Sequence, residues 1–220
     1  MKPTLVFRIP FVAVLLIALY LVPPPGHAQR RRNFDAVEIK THPVAGSVYM
    51  LEGSGGNIGV SIGTEGIFLV DDQFAPLTEK IVAAIRKLSN KDIRFLINTH
   101  IHGDHTGGNE NFGKMGTLIF SHDAVRSRLE EGLINRRTGQ RNPGSPREAL
   151  PLVTYKDRVT FHLNGEEVQV LKVPNAHTDG DSIIHFKGSN VIHMGDVFRT
   201  TSYPFIDQPH GEHSRGRWKR

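Results

Sequence analysis

Ile93-Arg94-Phe95-Leu96-Ile97-Asn98-Thr99-His100-Ile101-His102-Gly103-Asp104-His105-Thr106-Gly107-Gly108 is the segment from which the rest of the chain is best understood. Ile93 to Ile97 reads as a short apolar strand buried on both sides. The residues after it cannot all be core, because three histidines and an aspartate fall within six positions. Alternation places His100 and His102 on the same side of an extended segment, so two imidazoles can converge on one ion. Gly103 is expected to turn the chain and bring Asp104 and His105 to a second point close by. Gly107-Gly108 permits close backbone packing beside them. The chain has no cysteine, so any metal must be held by nitrogen and oxygen, the donors zinc takes when thiolate is missing.

Upstream, Phe34 to Lys40, Val44 to Glu52 and Asn57 to Ile62 read as short strands. Gly63-Thr64-Glu65-Gly66 is a hairpin signal before the apolar run Ile67 to Val70, which ends in Asp71-Asp72. Pro76 suits a first helical position, and Leu77, Ile81, Ala84, Ile85 and Leu88 share one helical face. Downstream, Leu118 to Phe120 is a strand and Ser121 is expected to cap a helix reaching about Leu133. Asn135 to Pro151 reads as a long mobile loop that either walls a substrate site or simply faces solvent. Strands resume at Arg158 to Leu163 and Glu167 to Val173, split by Asn164-Gly165, then at Ser182 to Phe186 and Asn190 to His193. Strand-rich halves with interspersed helices predict a layered α/β protein.

The two ends differ from the middle. Lys2 and Arg8 precede an unbroken apolar run from Phe11 to Val22, then Pro23-Pro24-Pro25 and Gly26-His27-Ala28. Residues 1–28 are therefore expected to be a signal peptide, which predicts export to the periplasm or beyond. Twelve apolar residues are too few to span a hydrocarbon core that needs about 20 in helix, so no stable membrane anchor is expected. The formal charge of +5 is concentrated at Arg30–Arg32 and in the last six residues. Such clusters are usually solvated tails, and no aromatic-interleaved basic motif argues for nucleic acid. Residues 29–206 are expected to form the folded domain and 207–220 a basic unstructured tail.

Thr-His-Ile-His-Gly-Asp-His resembles the H-x-H-x-D-H signature of the metallo-β-lactamase superfamily, and the similarity runs from about Tyr49 to Asp196. The resemblance implies a four-layer αβ/βα sandwich with metals at one edge of two sheets. It implies one zinc on His100, His102 and His177, the last in a Pro174-Asn175-Ala176-His177-Thr178-Asp179-Gly180-Asp181 loop. It also implies a second zinc on Asp104 and His105, with Asp196 bridging the two. Asp71 is expected to stand beside the ligands rather than among them, holding the loop or orienting an imidazole. Aspartate at 196, where some β-lactamases carry cysteine, makes the site look closer to glyoxalase II and lactonase relatives. Glutamate replaces His102 in the oxygen-reducing diiron relatives, which therefore fit poorly.

By the same resemblance, a metal-bound hydroxide would attack a small-molecule ester, thioester, lactone or amide, β-lactams included, with Asp104 handling the proton. The family normally continues past the bridging aspartate with a further strand, helices and a Gly-His-Gly-like element that completes the second zinc. Only 24 residues follow Asp196 here, and His210-Gly211 comes too soon after it, without a strand before it. The second half of the sandwich is thus expected to be incomplete and the second ion weaker or missing. Alternatives are an inactive zinc-binding remnant and an iron-dependent sulfur dioxygenase.

Overall fold

Ile93–Ile97 forms β5, near the middle of a seven-stranded sheet ordered β1-β2-β3-β4-β5-β6-β7. The structure is a computed structural model describing residues 32–135, 138–174, 176–200, 202–207 and 210–211. The sheet's first half is a meander of β1 (Lys40–Ala45), β2 (Val48–Glu52), β3 (Ile58–Gly63) and β4 (Gly66–Val70), all antiparallel. Its second half is parallel, from β4 through β5 to β6 (Leu118–His122) and β7 (Val153–Tyr155). Parallel neighbours need crossovers, and helices supply them: α1 (Thr78–Arg86) before β5, then α2 (Gly103–Thr106) and α3 (Asn109–Lys114) before β6, and α4 (Asp123–Glu131) before β7. A second, antiparallel sheet is ordered β11-β10-β9-β8, from β8 (Arg158–Leu163), β9 (Glu166–Lys172), β10 (Ser182–Phe186) and β11 (Val191–His193). Asn164 and Gly165, both at positive φ, close the β8–β9 turn.

Alternation along β4 and β5 sorts the core into two layers. Leu69 and Leu96 pack with Ile81, Ile85 and Phe112 of the helices. Phe68, Val70 and Ile97 face the other way and meet Val168, Val170, Ile184 and Phe186 of the second sheet. Phe68 and Phe161 make an edge contact across this interface, centroids 5.0 Å apart. The architecture is therefore layered α/β/β, and among the described residues no helix forms a fourth layer. No described helix is long and apolar enough to cross a membrane.

Several expectations need correction. Residues 34–39 are not strand; Phe34, Val37 and Ile39 instead pack their side chains on the helix-side core. Val44–Glu52 breaks at Gly46, whose φ of 54° reverses the chain between β1 and β2. Arg94 is exposed, so β5 is not apolar throughout; its guanidinium lies over the Phe95 ring. His122, not Ser121, caps α4, its Nδ1 accepting from the Ala124 N–H. In the stretch after Ile134, Arg141 makes an isolated bridge to Ile134, the Ser145 N–H donates to Leu129 C=O, and Arg147–Ala149 forms a 3-10 turn that the loop reading did not foresee. Asp207 and His210 are buried, so the expected tail does not begin at 207. The signal-peptide reading of 1–28 and the tail from 212 lie outside the described residues.

Candidate metal centre

Side chains from four strand ends meet at one edge of the two sheets. Beyond β4 the chain turns through Asp71 (φ 63°) and Gln73 (φ 55°). Both conformations are unusual for non-glycine residues, and both side chains are held by hydrogen bonds. Asp71 accepts from the Thr99 N–H (2.7 Å), the Thr99 hydroxyl (2.8 Å) and His105 Nδ1 (2.7 Å). Gln73 donates to Gly56 C=O, which draws the glycine-rich turn over the site. A Cβ on Gly55 would strike Asp104, and one on Gly56 would strike the His105 ring. Those two glycines therefore admit the histidine block. Gly103 plays a different part from the one expected: it lies at an ordinary negative φ and begins α2.

Three imidazole nitrogens point at one another. His102 Nδ1 is 3.2 Å from His100 Nε2 and 2.9 Å from His177 Nε2. A second group joins His100, His105 and Asp196. Asp196 stands between the two, with Oδ1 3.3 Å from His105 Nε2 and Oδ2 3.8 Å from His177 Nε2. Asp104 Oδ2 approaches His105 Nε2 at 3.9 Å from the solvent side. The six expected residues are thus brought together, with Asp104 the loosest. Asp71 lies behind His105 as expected.

The outer ring nitrogens account for the inner ones. His100 Nδ1 meets the Thr99 hydroxyl at 3.0 Å, and that hydroxyl already donates to Asp71, so the ring donates and its Nε2 lone pair faces inward. His105 Nδ1 donates to Asp71, His177 Nδ1 to Phe205 C=O, and His102 Nε2 to Asp207 Oδ2 at 2.5 Å. Among the described residues, the one ring nitrogen left buried without a hydrogen-bond partner is His105 Nε2. It lies within ion-pair range of Asp196 but is not aligned to bond it.

Electrostatics follow from this crowding. Burial, with His105, His102 and His177 beside it, pushes His100 well below the ordinary histidine range. Burial opposes charge on His105 as well, but Asp71 and Asp196 outweigh it and raise that imidazole to about 10. His105 in turn holds Asp196 at about 2 against burial. A cation would replace the proton that the acidic side chains now draw onto His105. Such a donor set, converging nitrogens around a buried unpaired one with a carboxylate between, fits one or two divalent cations.

The His177 loop is fastened from two sides. Asp181 accepts from the Thr178 N–H and hydroxyl, both at 2.6 Å. Asp179 takes a buried two-pronged ion pair from Arg128 of α4. Asp207 was not foreseen at the site, and His210 was weighed only as a ligand of the second ion that comes too soon in the chain. His210 does not reach the second group; it sits behind His102, its Nδ1 2.8 Å from Asp207 Oδ2. A lone aspartate in an aperiodic, apolar-poor stretch carries no signal that could have flagged it.

Known proteins share this arrangement of sheets. A metallo-beta-lactamase from Pontibacter korlensis superposes with a TM-score of 0.64 at 15% identity, covering 80% of each chain. One from Cronobacter sakazakii gives 0.64 at 19%, covering 80% of this chain and 70% of its own. A subclass B3 enzyme of Bradyrhizobium japonicum gives 0.59 at 21%, over 70% of this chain and 59% of its own. These identities speak to fold. The sequence model of the metallo-beta-lactamase superfamily matches residues 43–219, and on that match across most of its length the chain belongs to the metallo-beta-lactamase superfamily.

Proposed function

We propose that this protein is an exported, metal-dependent hydrolase acting on a carbonyl of a small molecule: an ester, thioester, lactone or amide, with β-lactams in range. The observation that carries it is the convergence of His100 Nε2, His102 Nδ1 and His177 Nε2 beside the unpartnered His105 Nε2. Buried polar atoms are nearly always satisfied, and inward lone pairs cannot satisfy one another. His100, His102 and His177 would hold one cation, His105 and Asp104 a second, with Asp196 shared. Imidazole and carboxylate are donors that zinc accepts. Bound there, divalent cations supply Lewis acidity, polarising a carbonyl oxygen and bringing the pKa of water to about 7.

The chain's own groups do the rest. Asp104, partly open to solvent, orients the attacking water and returns its proton to the leaving group. Asp71 and Thr99 keep the ring nitrogens aimed inward, so little reorganisation is needed when substrate arrives. The test is metal content of the chain beginning at Gln29, followed by hydrolysis of nitrocefin, a thioester and a lactone before and after chelation. Zinc at one or two equivalents with chelator-sensitive turnover on one substrate is expected. Iron, or turnover on none of them, overturns the reading.

A further inference from the structure

The segment carrying Phe205, Asp207 and His210 reaches the back of two histidines of the first group, and its bonds leave little freedom in how those rings sit. His177 is gripped at its ring, where Nδ1 donates to Phe205 C=O, and at its backbone, where the Asp207 N–H donates to His177 C=O at 2.8 Å. The Asp179 N–H donates to His210 C=O at 2.9 Å, which lengthens the seam. His102 is gripped through Asp207 Oδ2.

The proton positions can be worked out from the far end. His210 Nε2 accepts from the Ile134 N–H at 3.3 Å, so the His210 proton sits on Nδ1 and is given to Asp207 Oδ2. Asp207, fully buried, therefore receives one ring N–H from each side. An acceptor so placed requires the His102 proton on Nε2, which leaves Nδ1 as the inward donor atom. His100 and His177 present Nε2 inward, so His102 uses the opposite nitrogen, and Asp207 supplies the reason.

We propose that Asp207, braced by His210, is the positioning residue for His102, and that this segment is a clasp fixing the ring orientation of two of the three histidines in the first metal group. This rests on the metal reading above. An imidazole anchored by an outer carboxylate typically loses 10–100-fold in metal affinity when the anchor is removed.

The experiment pairs Asp207→Ala and His210→Ala with wild type in the full chain. Zinc affinity is read by competition with a chromophoric chelator, and ring tautomers by nitrogen-15 NMR of labelled histidine. Expected in wild type is a His102 ring protonated at Nε2 even without metal. In Asp207→Ala, affinity at one site falls about 10–100-fold and the His102 tautomer becomes mixed, while His105 keeps its Nδ1 proton. His210→Ala shifts both readouts the same way by less. A simple loss of folding stability would lower the unfolding midpoint without changing the His102 tautomer in the protein still folded.

Unchanged affinity with an unchanged tautomer in Asp207→Ala overturns the clasp. So does loss of one whole equivalent of zinc with the remainder binding as before, which would place an ion among His102, Asp207 and His210 themselves. If Asp207→Ala does not fold, His210→Ala and the wild-type tautomer decide; Nδ1 protonation of His102 in wild type is fatal. If wild type binds no zinc, the hydrolase reading falls alone, and the metal-free tautomer still judges the clasp.

Discussion

The two sides of the metal centre are built differently. On one side the 98–108 block is embedded in the end of a parallel sheet. Asn98 and Asn109 exchange amide hydrogen bonds at 3.0 Å in each direction, and Asp71 gathers Thr99 and His105. On the other, His177 sits in a loop between strands of the second sheet, held by Arg128 and by the segment that carries Phe205, Asp207 and His210. The first side takes its rigidity from buried polar groups at the ends of strands and in the short helices beside them. The second takes it from long-range contacts to a loop. Removing one group on the first side should therefore unsettle the fold and the site together, whereas the second side should yield locally.

Asp71→Ala gives the largest effect. It strands the Thr99 N–H, the Thr99 hydroxyl and a charged His105 in a fully buried place. Removing one member of a buried ion pair costs about 3–5 kcal/mol. Urea unfolding of metal-free protein should show that loss, and zinc binding should fail as well. A cost below about 1 kcal/mol, the worth of one ordinary hydrogen bond, would mean water replaces the carboxylate and the first side is not rigid.

Arg128→Ala tests the second side. Asp179 would be left as a buried carboxylate without its guanidinium, at a cost of about 3 kcal/mol by the same reasoning, the low end because a loop can open to water. The comparison predicts a split in hydrogen exchange: protection falls at 177–181 and at α4 but is kept at β4, β5 and α2. Uniform loss of protection across both sides would erase the distinction.

The same contrast governs what could be read in the sequence. His100, His102, Asp104 and His105 lie within one turn-sized segment after a strand, so their spacing alone forecasts convergence. His177 and Asp196 were legible only through likeness to known motifs, since nothing local brings residues 75 positions apart together. Asp207 was not legible at all: its partners His102 and His177 are set by how the segment folds back. Boundary errors have a similar origin. Ser121 has a good capping side chain, but β6 continues to His122 because Phe120, Ser121 and His122 pair with Val153, Thr154 and Tyr155. That pairing came from Val153–Tyr155, a three-residue strand too short to show a period of its own. Tertiary pairing outweighed the local preference.

The smallest expected effect concerns that unforeseen cap. His122 accepts from the Ala124 N–H at 3.1 Å through Nδ1, which requires an unprotonated nitrogen. Burial, aided by the Lys172 charge, lowers its pKa below the usual 6.5. The unfolded chain then binds more protons than the folded one at pH values below about 6.5, so stability falls as pH drops from there through the folded-state value. Asn at this position can still cap, because its carbonyl oxygen accepts from the same N–H, but it does not titrate. Metal-free wild type and His122→Asn should therefore have similar urea midpoints at pH 7.5, and wild type should fall progressively behind towards pH 5. The metal-site histidines titrate in both proteins and cancel in the difference. Parallel midpoint curves would show that His122 is protonated as readily in the fold as out of it, and that α4 is fixed by the Arg128–Asp179 pair rather than by its cap.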